Sequence, residues 1–308
     1  MVVRLSRGIH MPSGLEGHAA LLAELAAWQE LVPPSGSFTA LTAARVHRLW
    51  LPRLPTDLPH FVGMGTVRDE VKPERAQLIV SRHPTTPRCT LVDGIRVARL
   101  ADALVAAGRY LDVLDLTILI DSALHLGLCS MAELRAAGQV RRRGVVTFRA
   151  ALDLAHPASE SAWETMLRIL HIACGVGVVP QAAITDQDGR FVARADLLVE
   201  GTRLLQEYDG AHHRDASQHA DDLRRDRALA AAGHQRSGYV ARDLLQAAYL
   251  VIEPVERALG RRIDLGPWLD LVARSTYSAT GRKAFAARLP PPPFHPWNGG
   301  LRPVRTLN

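Results

Sequence analysis

The sequence predicts an α/β protein, α+β overall, in which a mainly helical α+β first half precedes a second half of alternating helices and strands. Residues 18–50 and 95–137 carry apolar residues at helical spacing, whereas residues 60–92 contain short β-like runs. From Ser159 onward a helical pattern precedes three strand-like runs, a charged helix, a short strand and a last helix. The second half therefore has the predicted order αβββαβα.

Two helices are predicted near the start of the chain. HAALLAELAAWQ (18–29) and LTAARVHRLW (41–50) have helical spacing, and the Pro/Gly/Ser-rich stretch VPPSGSF separates them. HFVGMGTV (60–67) and AQLIVSRH (76–83) are strand-like, with turn-forming residues between them. Residues 95–137 then return to a helical pattern that needs no chemistry to explain it.

A domain boundary is predicted between residues 138 and 158, where a basic cluster occurs. We expect domains at 1–150 and 151–265. Residues 266–308 are expected to be a flexible extension, because RLPPPPFHPWNGG is too rich in Pro and Gly to pack as a regular element. The arginines of the basic cluster either contact DNA phosphates or form an exposed basic loop. They are Arg141, Arg142, Arg143 and Arg149.

The helix predicted from Ser159 to Cys174 carries Glu164 in its first turn. This acid has two interpretations. In the functional one, Glu164 is an outer acid that orients a metal-bound water. In the structural one, Ser161 and Glu164 form a capping box at the start of the helix.

Two strand-like runs, VVPQAAIT and RFVARADLLVE, follow this helix, and the turn TDQDG joins them. Asp196 lies inside the second run, between Ala195 and Leu197. An unpaired carboxylate is costly to bury among apolar neighbours. Asp196 is therefore predicted to face a cation or a polar cleft, with a salt bridge as the alternative.

The third strand, TRLLQEYDG, supplies two more acids. Alternation along a strand places Glu207 and Asp209 on the same face. Like charges so close repel each other unless a cation or a proton intervenes, which favours a metal site over an acidic edge strand. His212 and His213 follow in the loop, where a histidine that titrates near neutrality can transfer a proton, or can simply be solvated.

Residues 215–232 have the pattern of a charged helix. Most of its charges are interpreted as solvated ion pairs. As an alternative, Arg225 and Asp226 reach the cleft. A short strand, HQRSGYV, and a helix from Arg242 complete the order, and Pro254 should kink or end that last helix.

Composition limits the possible classes of protein. The chain has 308 residues, a mass of 33.6 kDa and 47% hydrophobic residues, which is enough for two ordinary domains with real cores. A net charge of +6 and a pI of about 9.7 favour an acidic partner such as nucleic acid. Lysine occurs only at Lys72 and Lys283. This arginine bias suits phosphate binding, but it is also what a GC-rich genome encodes.

The cysteines and the termini indicate a cytoplasmic protein. Cys89, Cys129 and Cys174 lie far apart and are odd in number, which argues against a disulfide framework and favours free thiols. No apolar signal segment is evident at the start, and no stretch approaches ~20 uninterrupted apolar residues. We therefore expect no membrane association.

The motifs of the second half resemble the Vsr-like endonuclease domains of the PD-(D/E)XK restriction-endonuclease-like superfamily, including the domain of unknown function 559. The matching segments are SAWETMLR, RADLLVE, EYDGAHHRD, LRRDRALAAAGH and ARDLL, within residues 157–260. The resemblance implies a mixed central sheet and a Mg²⁺ (or Mn²⁺) ion held by Asp196 and Glu207, with Asp209 beside them. Asp209 occupies the position of the usual lysine. Vsr-type members use a histidine instead, which implies proton transfer by His212 or His213.

The first half resembles, more loosely, the antitoxin-like region of AbiEi-type proteins of type IV toxin–antitoxin systems. The segments that carry this resemblance are RLSRGIHMP, GSFTALTAARVHRLWLP and the helices after Gly94. The winged helix often found at the start of that family is not evident. The resemblance implies that this half is a scaffold or binds a protein partner.

Three functional hypotheses follow from the sequence. The first is a Mg²⁺-dependent DNA endonuclease acting in defence, repair or a toxin–antitoxin system, with Arg141, Arg142, Arg143 and Arg225 contacting DNA. The second is a catalytically inactive nucleic-acid-binding or antitoxin-like regulatory protein. The third is a structural interaction protein whose acids form ion pairs with the abundant arginines.

Overall fold

The structure, a computed structural model, describes residues 2–210 and 216–291, and the side chains of all these residues except 216–223. The described residues form twelve helices and eleven strands in three sheets. This arrangement confirms the α+β class. The order αβββαβα predicted for the second half is also confirmed, from α7 to α9.

The first half of the chain begins with an antiparallel hairpin that the sequence patterns did not indicate. A five-stranded mixed sheet and its helices follow. The elements of this half are β1 (Val2–Ser6), β2 (Ile9–Pro12), α1 (Gly17–Gln29), β3 (Gly36–Phe38), α2 (Ala40–Val46), β4 (His60–Gly65), β5 (Leu78–His83), β6 (Cys89–Val92), β7 (Ile95–Ala98), α3 (Leu100–Ala107), α4 (Val113–His125), α5 (Met131–Gln139) and α6 (Val145–Leu154).

The five-stranded sheet has the order β5-β4-β3-β7-β6, and its strands β3 and β4 are buried on both faces. Side chains alternate along β4, so Phe61 packs with α2, α3 and α4 while Val62 packs with α1 on the other face. Because Ile95–Ala98 pairs with β3 and β6, the helical prediction for 95–137 is wrong over these four residues. The helices predicted after them are confirmed.

The second half is built around a four-stranded sheet of order β11-β10-β9-β8, antiparallel from β8 to β10 and parallel between β10 and β11. The predicted mixed sheet is therefore confirmed. The elements are α7 (Ala162–Ala173), β8 (Val178–Thr185), β9 (Phe191–Val199), β10 (Leu204–Tyr208), α8 (Ala216–Ala231), β11 (Gln235–Tyr239), α9 (Ala241–Gln246), α10 (Ala248–Leu259), α11 (Gly266–Arg274) and α12 (Ala279–Arg288). Pro254 lies inside α10, so the helix does not end there. The break in the last predicted helix falls at Ala247, between α9 and α10.

Helix α4 belongs to the cores of both halves. Leu116 and Ile120 pack in the core of the first half, whereas Ile118 packs in the core of the second. The boundary predicted at residue 150 falls inside α6. The two predicted domains, 1–150 and 151–265, therefore share a helix and a continuous apolar contact.

Polar groups on α4 also join the two halves. Asp121 accepts hydrogen bonds from Arg168 Nη2 at 2.7 Å and from Thr165 Oγ1 at 2.8 Å, and the ion-paired side chains are buried. Asp115 accepts from the backbone N–H of Thr276 at 2.9 Å and from its hydroxyl at 3.1 Å. Buried acids of this kind are stable only because each has donors placed against it.

Part of the segment expected to be a flexible extension is ordered. Residues 266–291 contain α11 and α12, so the prediction for 266–308 is wrong up to this point. Pro267 stands at the start of α11, where proline suits a helix, and Trp268 and Phe285 are buried in the two cores. Residues 292–308 lie outside the described part.

Every helix in residues 2–210 and 216–291 is too short or too polar to cross a membrane.

Candidate active site

The register of the four-stranded sheet brings Asp196 and Glu207 together. Leu198 of β9 pairs with Leu205 of β10, and Leu197 pairs with Gln206. When this register is continued by one residue, Glu207 lies beside Asp196, on the face that α8 covers. We use the term acidic cluster for these two residues and Glu164, which approaches from the start of α7.

Asp196 is half-buried, and its pKa is higher than that of an ordinary aspartate. Its Oδ2 accepts a hydrogen bond from the backbone N–H of Tyr208 at 2.9 Å. Burial, followed by the negative charges of Glu164 and Glu207, raises the pKa of Asp196 to about 7, although the Tyr208 N–H and Arg225 oppose the shift. Asp196 is therefore a half-buried acid beside two other carboxylates, and the expectation that it faces a cation or a polar cleft stays a prediction.

Glu207 is almost fully buried, with 4% of its surface exposed, and is bound by two arginines. Arg225 donates to Oε1 through Nη2 at 2.5 Å and to Oε2 through Nη1 at 3.2 Å. Arg236 Nε donates to Oε2 at 2.6 Å. Such charge-assisted, forked contacts are strong and fix orientation. Arg225 of α8 therefore contacts the acidic cluster, in line with the alternative interpretation of this charged helix.

Asp209 lies on the same side of the sheet as Glu207, as strand alternation predicted. Arg236 joins the two acids, because its Nη2 donates to Asp209 Oδ1 at 2.9 Å. Asp226 also lies near this guanidinium, at 3.5 Å from Nη1. A Cβ at Gly238 would collide with the Asp209 carboxylate, so glycine is needed for Asp209 to approach β11 this closely.

Glu164 has features of both interpretations of the sequence. Its backbone N–H donates to Ser161 Oγ at 3.1 Å, which is one half of a capping box. Its carboxylate instead accepts from the Glu160 N–H at 2.8 Å and from Gln181 Nε2 at 3.0 Å. Burial raises the pKa of Glu164, with a contribution from the charge of Glu160. Glu164 therefore starts the helix and also faces Asp196.

Gln181, Arg236 and Tyr208 are site residues that sequence reasoning did not identify. Gln181 lies on β8 between the residues that pair with Leu197 and Ala195, and so opposite Asp196. Its φ of +52° is a strained value for a residue other than glycine. Sequence patterns carry no signal for such strain, nor for a register that aims an arginine of β11 at the acids of β10.

The other predicted site residues lie elsewhere. His212 and His213 fall outside the described residues, so proton transfer by either remains a prediction. Arg141 and Arg143 are exposed, whereas Arg142 donates to Asp102 at 2.6 Å. Arg142 and Arg143 line a cavity in the first half of the chain, and no residue of the acidic cluster lines it.

The donor chemistry of the acidic cluster suits a Mg²⁺ ion at Asp196 and Glu164. Mg²⁺ is commonly held by one or two carboxylates together with water and substrate phosphate. Burial raises the pKa of both acids, with smaller contributions from neighbouring carboxylates, so ionisation of either acid is costly without a cation beside it. Glu207 and Asp209 are bound by guanidinium groups, so they can reach a cation only if those groups leave them. In the described residues, no group of three or more His, Cys, Asp or Glu side chains is arranged so that it could hold a metal ion.

Comparison with known proteins adds no relative. No family model, no curated protein and no solved structure matches this chain. The resemblance to Vsr-like and AbiEi-type proteins therefore rests on the sequence motifs, and function is inferred from the chemistry of the site.

Proposed function

We propose that this protein is a metal-dependent DNA endonuclease whose active site is the acidic cluster. The observation that carries the proposal is the convergence of Glu164, Asp196 and Glu207 from α7, β9 and β10. Burial, with a smaller contribution from the other two carboxylates, raises the pKa of Asp196 to about 7. A carboxylate that is costly to ionise is the kind of group found where a cation or a proton is handled.

Asp196 and Glu164 would hold the Mg²⁺ or Mn²⁺ ion, which when bound neutralises phosphate charge and activates water. Gln181 holds the Glu164 carboxylate, and the Tyr208 N–H holds the Asp196 carboxylate, so both acids are oriented without a ligand. Preorganised groups of this kind act in hydrolysis without a reorganisation cost. Glu207 is a further ligand in this proposal only when an arginine has left it.

Arg225 and Arg236 would stabilise the charge that develops on the scissile phosphate. Their planar guanidinium groups bind Glu207 here, and the same fork geometry fits phosphate oxygens. Asp209 is then a positioning residue that aims Arg236. DNA is the proposed substrate because the net charge is +6 and the motifs resemble endonuclease domains.

A second function is favoured by the same ion pairs. Both carboxylate oxygens of Glu207 accept from guanidinium groups, and neither of the two lysines of the chain lies in this region of the sequence. A nuclease fold with its acids neutralised by arginine would bind nucleic acid without cleaving it. This alternative is the inactive nucleic-acid-binding or antitoxin-like regulator.

Cleavage assays separate the two functions. Purified protein is incubated with supercoiled, linear and mismatched DNA in Mg²⁺, Mn²⁺ or EDTA, beside the variants Asp196→Asn and Asp188→Asn. Asp188 is the matched control, because it is an exposed acid in the turn between β8 and β9. Metal-dependent cleavage that Asp196→Asn abolishes and Asp188→Asn retains is expected. DNA binding with no cleavage of any substrate would favour the regulator.

A further inference from the structure

The first half of the chain contains a large cavity lined by no residue of the acidic cluster. Its volume is about 990 Å³. It lies between β4 and β5, the loop 84–88, α3, and α5 with the loop that follows it. Cavities of this size hold ligands as large as a drug molecule or a cofactor.

The lining of this cavity is strongly basic. It contains six arginines and two acids, an excess of four positive charges. His83 adds none at neutral pH, because burial and then the charges of Arg109 and Arg142 lower its pKa below the ordinary value of 6.5. The six arginines are Arg82, Arg88, Arg99, Arg109, Arg142 and Arg143, and the acids are Asp102 and Glu133.

Each of the two acids already forms an ion pair with an arginine of the lining. Arg142 Nη2 donates to Asp102 at 2.6 Å, and Arg99 Nη2 donates to Glu133 at 3.0 Å. No negative charge of the lining is left for the other arginines. Arg109 has only a neutral acceptor there, the hydroxyl of Ser81 at 2.8 Å.

Some donors of the cavity have no partner within the protein. Among the described residues, the exposed guanidinium groups of Arg88 and Arg143 have no hydrogen bond or ion pair to another residue, and Arg142 Nε is buried without a partner. Like charges gathered in a concave site focus a positive potential. A polyanion would relieve this repulsion and supply the missing acceptors.

We propose that this cavity binds a nucleotide with two or three phosphate groups, either as a free molecule or as the phosphorylated 5′ end of a nucleic-acid strand. Such phosphates carry about three to four negative charges in total, which matches the excess charge of the lining. A duplex is too wide for a cavity of this volume. The proposal is independent of the proposed nuclease function.

The uncharged part of the lining favours a nucleotide over inorganic phosphate. Ala40, Ile79 and Ala101 form an apolar wall, and Thr85 and Thr86 add hydroxyl groups. An apolar wall leaves a free polyphosphate without contacts on that side. A base can cover the wall and can also stack on an arginine plane.

Binding is measured by calorimetry in EDTA, so that a metal at the acidic cluster cannot contribute. The probes are nucleoside di- and triphosphates of each base, inorganic triphosphate, and a single-stranded oligonucleotide with either a 5′-triphosphate or a 5′-hydroxyl end. The test variant is Arg88→Glu with Arg143→Glu. The control is Arg135→Glu with Arg190→Glu, which changes the net charge equally at exposed arginines outside the cavity.

Wild type and control should bind a nucleoside triphosphate, and the test variant should bind it at least about tenfold more weakly. Since neither Arg88 nor Arg143 has a side-chain partner, circular dichroism of the test variant should match that of wild type. If the 5′-triphosphate strand binds more tightly than every free nucleotide, the ligand is a strand end. If a free nucleotide binds more tightly than the strand, the ligand is a free nucleotide. The proposal is overturned if no nucleotide or strand end binds at about 1 mM, if inorganic triphosphate binds as tightly as the nucleotides, or if the control loses as much affinity as the test variant.

Discussion

Asp196→Asn should stabilise the protein at neutral pH while it abolishes cleavage. Asparagine keeps an oxygen that can accept the Tyr208 N–H but removes the charge. The pKa of Asp196 rises from its ordinary value of 3.8 to about 7 in the folded protein. Each pKa unit corresponds to about 1.4 kcal/mol, so a fully buried group would give roughly 4 kcal/mol. Solvent screening of this half-buried carboxylate reduces the expected gain to about 2 kcal/mol.

The pH dependence follows from the direction of the shift. Because the folded protein holds the Asp196 proton more tightly than the unfolded chain does, ionisation destabilises the folded state. This destabilisation is absent below about pH 4, grows as the pH rises, and is complete above about pH 7. The difference in the free energy of unfolding between Asp196→Asn and wild type should therefore be near zero at pH 4 and largest at pH 8.

Urea unfolding at a series of pH values measures this difference, with Asp188→Asn as the control that should show no trend. The pKa of Asp115 is also raised by burial to about 7, but it is present in every variant and cancels in the comparison. A variant that is less stable than wild type at pH 8, or a gain that is the same at pH 4 and pH 8, would refute the reasoning.

Three further changes test the packing around the site, each by urea unfolding. Asp121→Ala should cost about 3–5 kcal/mol because it leaves Arg168 buried without its counter-ion, and Asp121→Leu with Arg168→Met should recover most of the loss; no recovery would contradict this account. Asp115→Ala should cost about 1–3 kcal/mol, since two donors between α11 and α12 lose their acceptor, and an unchanged midpoint would count against it. Gly238→Ala should cost about 1–3 kcal/mol, but much less when Asp209→Ala is already present, and equal costs in both backgrounds would exclude the close approach.

The sequence predicted the acids of the site better than their partners. Hydrophobic alternation is local, so it placed Asp196 inside a strand, and strand geometry put Glu207 and Asp209 on one face. The partners depend on tertiary structure. Arg236 reaches both acids of β10 only because β11 pairs in parallel with β10 in one particular register.

The limits of the fold prediction have a similar cause. A short apolar run such as Ile95–Ala98 has no clear period, and β7 forms because strands on both sides supply hydrogen bonds. The Pro/Gly content after Ser275 suggested a flexible tail, yet Trp268 and Phe285 anchor α11 and α12 in cores that already exist. Local composition does not report a long-range anchor of this kind.

Binding of a divalent cation at the acidic cluster is the claim on which the nuclease proposal depends. Electron paramagnetic resonance of Mn²⁺ titrated into the protein at pH 8 measures it directly, with wild type, Asp196→Asn and the control Asp188→Asn compared at equal concentration. We expect one site in wild type and in the control, and its loss in Asp196→Asn. Absence of bound Mn²⁺ in wild type, or equal binding by all three proteins, would contradict the assignment of Asp196 as a metal ligand.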